Sequence, residues 1–168
     1  MQIKDQTVMG VVLSDTRDKV LLIQRRDVPV WTLVGGGIEK DESLENAIIR
    51  ELCEETGYTT KVIKKIGEYT PVNKLTKYTH LYECKILSGE PTLSDETRKI
   101  NFFDINNLPK LLPPPYPEWI HDGLKNEKTL IKRNLKSVNY YTLIKNLFLH
   151  PILVVRFLLT KIGLTINS

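Results

Sequence analysis

The strongest constraint on how this chain can fold is a change of hydrophobic period on either side of a glycine run, Gly35-Gly36-Gly37. After that run, Leu44, Ile48, Leu52 and Thr56 recur at every fourth position with Ile49 and Cys53 beside them, which predicts an amphipathic helix over Ser43 to Thr56. Ser43 suits its N-cap, and Gly57 stands where a helix ends in the left-handed conformation. Before the run, Thr7 to Leu13 and Val20 to Gln24 are branched and apolar and flank Ser14-Asp15-Thr16-Arg17-Asp18, which predicts a β-hairpin. Trp31 to Val34 reads as a third short strand. The glycines that follow it have no Cβ and free access to positive φ.

Strand-like runs follow near Lys61 to Ile66, Tyr78 to Ile86 and Lys99 to Asp104, and Leu111-Leu112-Pro113-Pro114-Pro115 precedes a short helix predicted over Glu118 to Leu124. That order implies an α/β fold, a mixed sheet flanked by helices. With 168 residues, 41% hydrophobic and 26% charged, the chain has the composition of one globular domain with an appendage. Two cysteines do not make a disulfide framework, and Asp5 interrupts any apolar leader, so reduced thiols and a cytoplasmic location are expected.

The predicted helix carries the chemistry. Glu51, Glu54 and Glu55 are spaced i, i+3, i+4 and share one sector beside the apolar stripe. Like charges so placed cost a helix roughly 0.2 to 0.5 kcal/mol per pair, and these lie near the negative end of the helix dipole. Arg50 reaches Glu54 at i+4, but one guanidinium does not balance three acids. A divalent cation does, and oxygen-only ligands favour Mg²⁺ or Mn²⁺ over zinc. His80, His121 and His150 show no ligand spacing that would change this.

A solvated acidic helix face is the plain alternative, and the wider spacing decides against it. Gly36, five residues, Glu42, seven residues, Arg50-Glu51-Leu52, one residue, Glu54-Glu55, one residue and Gly57-Tyr58 together resemble the complete Nudix box. Tyr58 departs from the usual aliphatic residue in the last slot. The resemblance covers about residues 1–124 and implies an α/β/α sandwich. Its implied activity is hydrolysis of a pyrophosphate bond in a nucleoside diphosphate linked to another moiety, with Mg²⁺ or Mn²⁺. It also implies metal binding by Glu54 and Glu55, Glu51 as metal ligand or general base, and a further ligand from the Gly35 carbonyl. Glu42 and Arg50 are implied to be supportive, with Arg50 orienting the catalytic acids. Gly36 and Gly57 complete the structural box.

Cleaving a P–O–P link leads to the same division of labour: cations stabilise charge on phosphoryl oxygens, and a carboxylate not used by metal takes a proton from water. In several family members the base lies on a later loop. Glu96 is the candidate for that here, with an ordinary turn residue as the alternative. Many relatives read Leu-Pro-Gly-Gly before the box where this chain has Leu33-Val34-Gly35-Gly36, which predicts altered loop geometry with activity kept. A non-catalytic nucleotide-binding module is the alternative function, from which loss of a metal acid would be expected; all three are present.

Substrate choice must come from outside the box. Arg25 and Arg26 end a strand just before it, where either can meet a phosphate or sit in a structural salt bridge. Tyr78 is the leading candidate to stack a base, with Trp31, Tyr82, Phe102 and Phe103 read mainly as core. Subfamily signals are missing, so the small-molecule nucleotide stays unnamed.

Residues 125–168 hold eight Lys or Arg against one acid, a formal +7, whereas residues 1–124 hold 16 bases and 19 acids, a formal −3. The positive field belongs to the tail, and nucleic acid is not the expected partner of the body. The tail is expected to be a basic, apolar helical extension, with Pro151 starting a helix too short to span a membrane. Three readings stay open for it: packing on its own domain or on a second copy as a homodimer, lying on an anionic membrane surface, or contacting nucleic acid or a protein.

Overall fold

The structure, a computed structural model, describes residues 5–125, 127 and 129–164. Met1 to Lys4, Asn126, Lys128 and Thr165 to Ser168, parts of the expected body and basic tail, lie outside the described residues. The elements are β1 (Gln6–Val12), β2 (Lys19–Arg25), β3 (Trp31–Thr32), β4 (Val34–Gly36), α1 (Leu44–Thr56), β5 (Thr59–Pro71), β6 (Tyr78–Ser88), β7 (Thr97–Asp104), α2 (Tyr116–Leu124), β8 (Ile131–Leu135), α3 (Tyr140–Leu149) and α4 (Pro151–Lys161). A five-stranded mixed sheet runs β4-β1-β6-β5-β8, and a three-stranded antiparallel sheet runs β3-β2-β7.

Two cores, one on each side of the strands, make this the expected α/β/α arrangement. Ala47, Ile48 and Leu52 of α1 bury against Val8, Leu21, Val34 and Tyr82. Trp119 and Ile120 of α2 bury against Val11, Leu22, Leu81 and Leu135. β2 supplies both cores, Leu21 and Ile23 to one and Val20 and Leu22 to the other, so its uninterrupted apolar run is that of a strand covered on both faces.

That double coverage corrects the expected hairpin. β1 and β2 share a single antiparallel bridge, Leu13 to Val20, and then diverge into different sheets. The expected strand over Trp31 to Val34 likewise divides: β3 pairs with β2, and β4 crosses to pair with β1 through Gly10 and Val34. The tail is not helical from its start. Ile131, Arg133 and Leu135 alternate inward against exposed Lys132 and Asn134, and β8 adds to β5 in parallel with Gly67 opposite Ile131. Arg133 fixes that addition by pairing with the buried carboxylate of Asp122 on α2 at 2.6 Å, which also accepts from the Tyr69 hydroxyl at 2.7 Å. α3 and α4 follow as the expected helical extension and fold back toward the body.

Candidate active site

α1 begins where predicted: the Ser43 side chain accepts a hydrogen bond from the Asn46 backbone N–H at 3.1 Å. It ends at Gly57 with φ 77°, whose N–H donates to the Cys53 carbonyl. Within the 35–37 run Gly35 takes a positive φ of 159°, and a Cβ there would lie 2.1 Å from the Val8 carbonyl oxygen. At Gly36 the close neighbour is the site itself, where a Cβ would lie 2.3 Å from Glu51 Oε1. β4 thus forms the floor on which the Glu51 carboxylate rests, and only a residue without a side chain leaves it there.

Arg50 joins the loop to the helix. Its Nε donates to Glu42 Oε1 at 3.0 Å and its Nη2 to the Gly37 carbonyl at 3.1 Å. Its Nη1 donates to Glu51 Oε1 and to Glu54 Oε2, both at 3.0 Å. Glu42 also accepts from the Glu39 N–H, and its bond from Arg50 holds its carboxyl below the usual range. One guanidinium therefore fixes the positions of three acids.

The three helix carboxylates have unlike environments. Glu54 is mostly open to solvent, with its side chain 59% exposed. Burial raises the Glu51 carboxyl above its ordinary value despite the Arg50 contact, and Glu54 and Glu96 raise it further. Glu55 is only 7% exposed, its Oε2 has no hydrogen-bond partner, and burial with the neighbouring Glu51 pushes it up to about 8. The Gly35 backbone hydrogen-bonds to the same carboxylate.

Glu96 is brought to this site from a distant loop. It is exposed, and its charge acts on both Glu51 and Glu55. Arg26 holds that loop, its N–H donating to the Glu96 carbonyl at 2.9 Å and its Nε to the Ser94 carbonyl at 3.2 Å. Arg25 lies on the other side, paired with Asp27 through Nε at 2.8 Å, and its charge acts on Glu55 and on Tyr116. Tyr78 engages a different network, donating to Glu68 at 3.0 Å and stacking edge-on against His80. Trp31 packs on Phe103, and Tyr82 is buried in the α1 core.

An orphaned, buried, acidic oxygen beside a second carboxylate suits a hard cation, and every donor here is oxygen. Among the described residues no three His, Cys, Asp or Glu side chains close into a ready-made metal cage, and Arg50 occupies one oxygen of Glu51 and one of Glu54. The acids thus present a site that a divalent ion would draw together.

A cavity of about 580 Å³ is lined by Arg25 and Tyr116, which interact electrostatically with Glu55, and by none of the α1 carboxylates. Its opposite wall comes from the tail, with Leu143 of α3 and Val154, Phe157 and Lys161 of α4. Burial, then the charges of Lys77 and Arg25, lower the Lys161 ammonium below its usual value, and of these cations Arg25 and Lys161 line the cavity. Tyr116, Asp27 and the tail wall were not anticipated from sequence. Tyr116 follows a proline run without any periodic signal, and the tail wall depends on contacts between residues more than 100 positions apart.

Similar proteins identify the family. The NUDIX domain family model matches residues 4–123. A Bacillus subtilis (strain 168) protein provisionally assigned as an 8-oxo-dGTP diphosphatase is 34% identical over 118 residues, covering 70% of this chain and 78% of its own length. An ADP-ribose pyrophosphatase of Methanocaldococcus jannaschii is 34% identical over 110 residues, 62% of this chain and 64% of that protein. The crystal structure of an ADP-ribose pyrophosphatase from Streptococcus suis 89-1591 superposes with a TM-score of 0.67 over 78% of this chain and 98% of that one, at 24% identity. With the box, the sandwich and the family match in agreement, the chain belongs to the Nudix hydrolase family.

Proposed function

We propose that this hydrolase cleaves a pyrophosphate bond in a nucleoside diphosphate derivative at the α1 carboxylates, with the cavity behind Arg25 taking the moiety that the phosphates carry. The observation that carries this reading is Glu55, a buried carboxylate with one oxygen unpartnered, set beside Glu51 and within the field of Glu96. Family membership brings a divalent metal ion as the expected cofactor. Glu51, Glu54, Glu55 and the Gly35 carbonyl would hold it, as Mg²⁺ or Mn²⁺, and when bound it supplies Lewis-acid stabilisation of phosphoryl charge.

The chain's own residues account for the rest. Glu96 is exposed, is not held by Arg50, and accepts the proton of the attacking water. Arg50 keeps Glu51 and Glu54 at fixed separation, which limits the reorganisation needed as charge develops. Arg25, held by Asp27, offers its positive field to the substrate phosphates. The Methanocaldococcus relative is named for ADP-ribose and the Bacillus one for 8-oxo-dGTP. ADP-ribose carries a second ribose on its diphosphate and 8-oxo-dGTP a third phosphate, so both are nucleoside diphosphates bearing a further group, and this is the class assigned here.

The test is a panel of ADP-ribose, nucleotide sugars, nucleoside triphosphates and dinucleoside polyphosphates with Mg²⁺ or Mn²⁺, scored for phosphate products. Glu55→Gln is expected to lower kcat by roughly 10³-fold while thermal unfolding stays cooperative. Glu96→Gln is expected to lower it by about 10² to 10⁴-fold and flatten the pH profile. Full turnover by Glu55→Gln would remove the metal role, and an unchanged profile in Glu96→Gln would remove the base.

A further inference from the structure

The α3–α4 hairpin has two apolar stripes, and the body uses only one. Leu143, Val154 and Phe157 face the cavity. On the opposite side Tyr141, Ile144 and Phe148 of α3 and Ile152 and Val155 of α4 recur at three- and four-residue intervals and are all exposed, Phe148 by 83%. Isolated exposed apolar residues are ordinary, but a stripe continued across two successive helices marks a surface with a partner.

Charge identifies that partner. From Tyr140 to Lys161 the ionised residues are Lys145, Arg156 and Lys161, and no Asp or Glu occurs. A second copy meeting this face through a two-fold axis would bring the same basic residues together with no acid on the hairpin to receive them. An anionic lipid bilayer offers an apolar interior to the stripe and negative headgroups to the exposed Lys145, while Lys161 stays on the cavity side. No helix among the described residues is long and apolar enough to cross a membrane, so the hairpin would lie along the interface. Tyr140 and Tyr141, both exposed at the start of α3, have the amphipathic rings that favour the headgroup level.

We infer that the outer face of α3 and α4 docks this enzyme peripherally on anionic membranes. The hairpin then has one side in the lipid interface and the other forming a wall of the cavity that Arg25 and Tyr116 line.

The test is vesicle flotation of the full chain with phosphatidylcholine alone and with phosphatidylcholine containing phosphatidylglycerol. The full chain is expected to float with the anionic vesicles only, and added salt is expected to release it. Phe148→Glu combined with Ile152→Glu is expected to reduce the floated fraction about tenfold or more. Lys145→Glu, a single exposed reversal that leaves the apolar stripe intact, is expected to weaken binding in the same direction. Circular dichroism and hydrolysis of a soluble substrate report whether each variant is folded. The proposal is overturned if the full chain stays unbound on anionic vesicles at low salt, or if the folded double variant floats as well as the parent. It is also overturned if, without lipid, the parent elutes as a dimer that the double variant converts to monomer, because the face would then belong to a second copy.

Discussion

Glu55 holds more electrostatic tension than any other box residue, and the sign of its pH response follows from its environment. Its carboxyl titrates near 8 in the folded protein against an ordinary value of 4.5, so between those values the folded state binds more protons than the unfolded chain. The contribution of Glu55 to stability is therefore complete below about pH 4.5 and is lost as the pH rises through 8. Protein treated with chelator is expected to unfold at least about 4 °C lower at pH 8 than at pH 5.5, by scanning calorimetry. Added Mg²⁺ or Mn²⁺ should remove the difference by taking the place of the proton, and Glu55→Gln should remove it without metal. A pH response unaffected by either change would mean that another group carries it. Gly36 separates geometry from stability in a second way. The Cβ of Gly36→Ala meets the end of the flexible Glu51 side chain, so the carboxylate moves and the backbone does not have to. The expected result is a melting temperature within about 4 °C of the parent and a kcat lowered by about 10². Equal loss of both would show that β4 itself had been displaced.

The loop–helix–loop unit around α1 was legible because every signal in it is local. The four-residue recurrence from Leu44, the cap at Ser43 and the stop at Gly57 each act within a few residues, and the structure reproduces all three. β1 and β2 were legible as strands and not as partners. A hairpin and two strands of different sheets have the same apolar runs, and only the burial of both faces of β2 distinguishes them. β8 was missed for a related reason: Ile131-Lys132-Arg133-Asn134-Leu135 alternates with period two, but a basic residue occupies one of its inward positions. That residue, Arg133, is inward because Asp122 is there to receive it, a relation that no window of sequence contains. Arg133→Met would leave Asp122, whose side chain is 1% exposed, with Lys125 at 3.5 Å as its remaining cation. Chemical denaturation is expected to report a loss of about 2 kcal/mol for Arg133→Met and a smaller loss for Lys125→Met. The reverse order would assign the anchoring of β8 to the wrong cation.

The molecule is a body of mild negative charge to which a basic tail is attached twice, first as a strand and then as a wall, and the two attachments have separable consequences. β8 covers β5 along five residue pairs from Gly67 to Pro71, and Leu135 is fully buried in the α2 core. A chain ending at Lys125 loses this strand, leaves β5 as an open edge and uncovers Trp119 and Tyr69 near it. A chain ending at Val138 keeps β8 and loses only α3 and α4, whose inner faces line the cavity while Tyr141, Ile144, Phe148 and Ile152 on their outer faces are exposed. The shorter chain is therefore expected to aggregate or to melt at least about 5 °C below the parent. The longer one is expected to unfold cooperatively near the parent temperature. Removing the wall should raise KM about tenfold through loss of Lys161 and Phe157, with kcat nearly unchanged because Glu51, Glu55 and Glu96 are supplied entirely by the body. Comparing kcat and KM for the Val138 chain thus separates two accounts of the tail. A loss confined to KM makes it part of the substrate site, whereas a fall in kcat would show that the hairpin also holds the carboxylates in register.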